Sequence, residues 1–246
     1  MYPILFRFGV LSVPTYGAVL ALGLLIAITF SQRTARLAGI DADKLWNFEV
    51  TVLFAAILTR QGVLLFGWTE WVASLAALLV AAIAALLMLR GARLMQLRTL
   101  DALAPAVAVA MAARALACFA AGCAYGTPTT LPWGVEFSSR QAWILNGTTL
   151  GVPLHPVQLY SAAMQLILAA VLYYWLQHSR QRGEVAGAWL LGTGFSATMI
   201  EQLRAPATIL WLPGKWLSAT QLIYAAMIVL GAVLLWQRPH ASRQND

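Results

Sequence analysis

Seven stretches, at about 14–32, 47–68, 72–89, 102–124, 155–177, 186–203 and 217–236, carry almost no charge, and each is long enough to cross a lipid bilayer. A helix needs roughly 20 apolar residues to cover about 30 Å of hydrocarbon. In lipid every backbone N–H and C=O must be satisfied internally, so such a stretch is a helix or part of a closed barrel. The runs are continuous and lack the period-two alternation of a barrel strand. With 61% hydrophobic and only 10% charged residues in 246, the chain holds more apolar surface than a water-soluble core could enclose. The expected fold is therefore all-α, a polytopic membrane protein of seven transmembrane helices, read as a single membrane domain over 1–246. "MYPILFRFGVL" has neither a basic n-region nor a small-residue cleavage site, so the first span is expected to be retained. The one long connection, about 125–154, is rich in Gly, Pro, Thr and Trp and reads as loop.

Orientation follows from the basic residues in alternate loops. One set holds Arg33, Arg36, Lys44, Arg90, Arg93, Arg98, Arg180, Arg182, Arg238 and Arg243; the other holds Arg7, Arg140, Arg204 and Lys215. The richer set marks the cytoplasmic side, placing the N-terminus and the 125–154 connection outside and the C-terminus inside. The same asymmetry explains the formal net charge of +7 without nucleic acid, since short juxtamembrane loops face anionic headgroups.

Two arginines remain, Arg60 and Arg114, and both fall inside expected spans. An arginine at a helix centre costs roughly 2.5–3.5 kcal/mol on insertion scales, which calls for a reason. Counted from the cytoplasmic edge at about 1.5 Å per residue, each lies near 20 Å, in the outer half. Tyr16, His155, Gln158, Glu201, Arg204 and Gln221 reach the same level from other spans. His155 and Gln158 are three apart and share a helix face, with Pro156 suited to a first helical turn. Arg60, Arg114 and Arg204 around one pocket would form an anion site, because the planar guanidinium fork matches phosphate oxygens. The anion at that depth is a phospholipid headgroup.

Each residue also has a plainer role open to it. The arginines could snorkel or pair with Glu201, Tyr16 could belong to the interfacial aromatic belt, and Gln158 and Gln221 could bond between helices. His155 could be a general base or a hydrogen-bonded helix-start residue. Cys118 and Cys123, five apart on one expected helix, would point to different faces and read as small buried residues. No nucleophile elbow, phosphate loop, metal spacing or paired-carboxylate motif is present, so hydrolase, NTPase and metalloenzyme readings have no local support, and no metal and no cofactor are expected.

Several blocks occur together in order: "TYGAVLALGLLIA", "ILTRQGVLLF", "CFAAGCAYGTPTTLPWG", "HPVQLY", and "EQLR" followed by "LSATQLI". In this order they resemble the prolipoprotein diacylglyceryl transferase family of the bacterial inner membrane. The resemblance implies a multi-pass enzyme that moves the diacylglyceryl group of phosphatidylglycerol to the thiol of a lipobox cysteine in a preprolipoprotein signal peptide. It also implies site residues: Arg204 matches the family's essential late arginine, Arg60 its second-span arginine, Tyr16 its first-span tyrosine and Gly126 the glycine closing its signature. Arg204, Arg114 and His155 are then the catalytic candidates. Arg60, Tyr16, Gly126, Gln158, Glu201 and Gln221 are the lipid- and phosphate-binding ones. The chain departs from the family pattern in three places. "TEWVASLAALL" has no histidine where the family has His-Gly-Gly; the signature arginine's slot is Ala115, with Arg114 one position early; and Cys118 and Cys123 replace an asparagine and a glutamate. A relative with another acceptor, or a non-catalytic phospholipid-binding paralogue, are the alternative readings.

Overall fold

In the computed structural model, which describes residues 4–8, 11–67, 69–91, 97–179, 182–206 and 218–236, each of the seven apolar runs becomes a helix. They are α1 (Thr15–Leu37), α2 (Ala42–Leu65), α3 (Glu70–Gly91), α4 (Leu97–Ala121), α6 (Val157–His178), α7 (Glu184–Glu201) and α8 (Ala219–Trp236); a short α5 (Arg140–Asn146) lies between α4 and α6. Four of them, α1, α4, α6 and α8, are long and apolar enough in themselves to cross a membrane. Their outer faces agree with a lipid surround: Leu58, Leu78, Ile167 and Val229 are each more than half exposed. Apolar surface on that scale would be a liability in water. Of the basic residues used for orientation, Arg93, Arg180, Lys215, Arg238 and Arg243 lie outside the described residues.

The central element is α4, which packs along α1, α6 and α7. Its sequence is alanine-rich, and Ala102, Ala104, Ala108, Ala112, Ala115 and Ala117 are buried. Small side chains let neighbouring backbones approach closely where lipid supplies no hydrophobic drive between helices. The pairs α2 with α3 and α7 with α8 complete the bundle, and α2 leans on α1.

Hydrogen bonds identify which helix ends share a side. At one side Arg98 donates from Nε to the Ala38 carbonyl and from Nη1 to the Ser179 carbonyl, joining the ends of α1 and α6 to the start of α4. Asp101, fully buried in α4, accepts the Gly183 N–H at 2.6 Å and the Ala186 N–H at 2.9 Å. Gly183 is the N-cap of α7 and has no side chain of its own to cap with, so a carboxylate from another helix satisfies the orphan donors and faces the positive end of the helix dipole. The opposite side gathers the end of α4, the start of α6, the end of α7 and the start of α8. Consecutive helices from α6 to α8 thus alternate in direction, as a serpentine membrane chain requires.

The all-α expectation needs one refinement. Strands β1 (Ile4–Phe8) and β2 (Leu11–Pro14) form an antiparallel hairpin ahead of α1, and β3 (Val135–Glu136) pairs with β4 (Pro153–Leu154). The 125–154 connection is therefore not plain loop: Tyr125, Phe137, Leu154 and Ala205 bury together, flanked by Val135, Leu150 and Val152. Strands of two residues are too short for alternation to register in sequence.

Candidate functional site

The site begins where α4 ends. Gly122 (φ +82°) donates to the Phe119 carbonyl and Cys123 donates to the Cys118 carbonyl, the paired bonds of a Schellman turn with glycine in the left-handed position. A Cβ on Gly122 would also meet the Ala142 Cβ at 2.9 Å. That turn brings the fourth-last residue of α4 against the second residue beyond it, a place normally filled by an apolar contact. Here the two are Cys118 and Cys123, with Cα atoms 4.9 Å apart, and they form a disulfide. The expectation of unlinked cysteines on different faces is corrected: five residues apart separates faces only while the helix continues, and Gly122 ends it.

Beyond the disulfide, Ala124 adopts φ +54°, the one non-glycine residue with positive φ among the described residues. This conformation costs an L-residue roughly 1–2 kcal/mol. The chain then enters a narrow strand that is paired on both sides. Thr127 donates to the Leu203 carbonyl at 2.8 Å and Ala205 to the Tyr125 carbonyl at 3.1 Å, so Gly126 faces Arg204 across an antiparallel bridge. On the other edge His155 donates to the Thr127 carbonyl at 3.0 Å and Thr129 to the Pro153 carbonyl at 2.9 Å. At Gly126 a Cβ would stand 2.5 Å from the His155 carbonyl oxygen and 2.9 Å from that of Leu203, so only glycine lets the three segments meet. Backbone pairing alone sets Gly126, His155 and Arg204 side by side.

Arg204 points from this bridge toward a cavity between α4, α6, α7 and α8. Its main lobe is lined by Met111, Arg114, Ala115, Ser161, Gln165, Ser196, Ala197, Ile200, Glu201, Arg204 and Tyr224. A neighbouring lobe shares Arg114 and Arg204 and reaches Cys118, Ala124 and Gln158. Among the described residues neither guanidinium makes a hydrogen bond or an ion pair. Glu201, buried, instead accepts from Ser218 Oγ at 2.8 Å and from Thr220 Oγ1 through the same oxygen. Its other oxygen, with Gln158 Oε1 and Gln165 Oε1, has no partner among the described residues. Two uncommitted cations and three unpartnered acceptors on one cavity describe a receptor for an anion that also carries hydroxyl donors.

The structure divides the candidates named from sequence. Arg114, Arg204, Gln158 and Glu201 line the cavity; Arg114 does so although Ala115 takes the slot next to it, because a long side chain and its neighbour both reach the same space. Gln158 also donates to the Cys123 carbonyl at 2.8 Å, fixing the end of the turn. Gly126 and His155 support Arg204 from the strand. His155 packs its ring edge-on to Tyr160, whose hydroxyl accepts from Trp133 Nε1, and its buried Nδ1 has no partner among the described residues. Gln221 does not line the cavity: its Oε1 accepts the Ser218 N–H at 2.9 Å while Ser218 Oγ accepts the Gln221 N–H at 3.0 Å, a capping box at the start of α8. Tyr16, in the first turn of α1, and the exposed Arg60, on α2, are likewise outside the lining. Ser161, Gln165, Ser196 and Tyr224 were missed by sequence reasoning. For the first two the signal was present, since 158, 161 and 165 fall on one helical face.

Comparison with known proteins matches this arrangement to a family. Residues 3–237 fit the family model described as prolipoprotein diacylglyceryl transferase. The phosphatidylglycerol–prolipoprotein diacylglyceryl transferase of Clostridium tetani is 29% identical, across 83% of this chain and 86% of its own length. That of Photobacterium profundum is 27% identical across 95% and 92%, and that of Pseudoalteromonas translucida 29% across 99% and 95%. With a family model covering nearly the whole sequence and an arginine-lined cavity at its centre, the chain belongs to the prolipoprotein diacylglyceryl transferase family.

Proposed function

We propose that this chain transfers the diacylglyceryl group of phosphatidylglycerol to the thiol of a lipobox cysteine in a prolipoprotein, working as one domain in the bacterial inner membrane. In this reading all seven long helices span the bilayer, with the N-terminus outside and the C-terminus inside. The observation that carries the proposal is the pair of unengaged guanidiniums, Arg114 and Arg204, on one cavity among apolar helices.

The chemistry follows from charge. The acceptor sulfur attacks the glycerol carbon that bears the phosphate, a C–S bond forms, the C–O bond breaks, and glycerol phosphate leaves while the thiol proton passes to solvent or to the released phosphate. Negative charge grows on the departing oxygen, so cations fixed beside it favour the transition state over the ground state. Arg204, held by main-chain pairing, and Arg114 supply that charge. A low-dielectric surround strengthens their effect. Gln158 and Glu201 hold the headgroup's polar atoms, and Gly126 holds the strand.

A dedicated base is less necessary for a thiol than for an alcohol. A cysteine of pKa about 8.5 is already a few per cent thiolate near neutrality, and neighbouring arginines raise that share. His155, off the lining and tied into the strand, positions the start of α6 in this mechanism. Arg60 and Tyr16 take no part in the displacement. Complementation of cells depleted of their own transferase tests donor, acceptor and competence together. Growth supports the transferase, whereas failure with normal expression and retained binding to phosphatidylglycerol favours the lipid-binding paralogue.

A further inference from the structure

We propose that the Cys118–Cys123 disulfide is a positioning element for Arg204, making transfer dependent on an oxidised pair. The inference rests on the transferase reading of the cavity. The path from sulfur to guanidinium is short and continuous. The disulfide ties the last turn of α4 to Cys123, whose carbonyl is held by Gln158. The next residue, Ala124, lies on the cavity wall in a left-handed conformation that an alanine leaves when it is free to do so. Immediately after it, the Tyr125 carbonyl and the Thr127 N–H grip Ala205 and Leu203, the neighbours of Arg204 on either side. The covalent tie therefore anchors the segment against which the Arg204 backbone is registered.

The same bond touches the second guanidinium. Cys118 lies four residues beyond Arg114, on the same face of α4, and lines the lobe that both arginines share. Reduction converts the disulfide to two thiols with two electrons and two protons from a dithiol, which becomes a cyclic disulfide. Formation reverses that transfer, with a protein disulfide as oxidant by thiol–disulfide exchange. In the proposed orientation the pair faces the outer side, where such oxidants operate and disulfides persist. Cys118 is almost fully buried, which protects the bond once it has formed. Reduction frees Ala124 to relax, shifts the strand and moves Arg204 off the departing phosphate, while the cavity and its remaining polar groups still admit the lipid.

The test uses the full chain, purified under oxidising conditions, in liposomes containing phosphatidylglycerol with a lipobox peptide as acceptor. Maleimide labelling of the denatured protein should find no free thiol before reduction and two after it. Enzyme treated with dithiothreitol and freed of it before assay should lose kcat by about tenfold or more, as misplacement of a catalytic group by about 1 Å does, with KM for phosphatidylglycerol nearly unchanged. Reoxidation should restore kcat, which unfolding would not allow. The Cys118→Ser, Cys123→Ser double variant should sit at the reduced level and ignore reductant. Two free thiols in the oxidised protein, or a kcat indifferent to reduction, would overturn the inference and leave the transferase reading standing. No transfer by any form overturns both.

Discussion

Gly126 and Arg204 are paired across an antiparallel bridge, so the place of the cavity's terminal guanidinium is set by main-chain hydrogen bonds from a segment 78 residues earlier in the chain. An arginine at a helix end ordinarily swings with its long side chain. Here its Cα is fixed between two bonded neighbours, which sets the point at the cavity edge from which the guanidinium reaches in.

The bridge leaves no room for a methyl group at residue 126. Gly126→Ala would place a Cβ 2.5 Å from the His155 carbonyl oxygen and 2.8 Å from the His155 Cβ, forcing backbone apart. The expected cost is about 1–3 kcal/mol of stability, together with a larger proportional loss of transfer because Arg204 moves. Thermal unfolding and initial rates on the same preparation measure both, and a variant with unchanged rate contradicts the positioning role.

At the far side, the α7 start depends on a carboxylate contributed by α4. Asp101→Ala leaves the Gly183 and Ala186 donors buried without it, and hydrogen bonds to a charged acceptor are worth about 1.5–3 kcal/mol each at most. Asp101→Asn keeps one acceptor oxygen and should fall between the wild type and the alanine variant. The order of thermal midpoints checks this, and equal midpoints for all three would remove the cap from the account.

Gln221 serves the helix that carries Tyr224, not the ligand. Gln221→Ala should lower stability by about 1 kcal/mol through loss of the capping box, with the transfer rate changed by less than about threefold. A much larger kinetic effect with intact stability would place Gln221 in the site.

The helices and their polar face were legible in the sequence for different reasons. Apolar run length reports each helix directly, and depth counting brought Arg114, Gln158, Glu201 and Arg204 to one level; these four line the two adjoining lobes of the cavity. Depth alone says nothing about azimuth: α2 packs on α3 and α1, and Arg60 lines neither lobe. The disulfide was misread because helical periodicity was carried past Gly122, where the helix stops. The Gly126 bridge had no sequence signal at all, since pairings of one or two residues depend on segments far apart in the chain.

Orientation has a separate check. Reporter fusions after Leu97 and after Trp133 should report cytoplasmic and external locations, following the excess of Lys and Arg in one set of loops. The reverse pattern would put the cavity on the cytoplasmic side, away from the acceptor.

The central claim is that Arg204 stabilises the phosphate leaving group, and transfer of the diacylglyceryl group from labelled phosphatidylglycerol to a lipobox peptide measures it most directly. Wild-type protein should produce the thioether-linked lipopeptide and release glycerol phosphate. His155→Gln should keep a measurable fraction of that rate, and Arg204→Ala should lose about 10²-fold or more in kcat, on the scale of removing a principal electrostatic stabiliser. Wild-type protein that binds phosphatidylglycerol yet forms no thioether, or Arg204→Ala protein that transfers at the wild-type rate, would contradict the account.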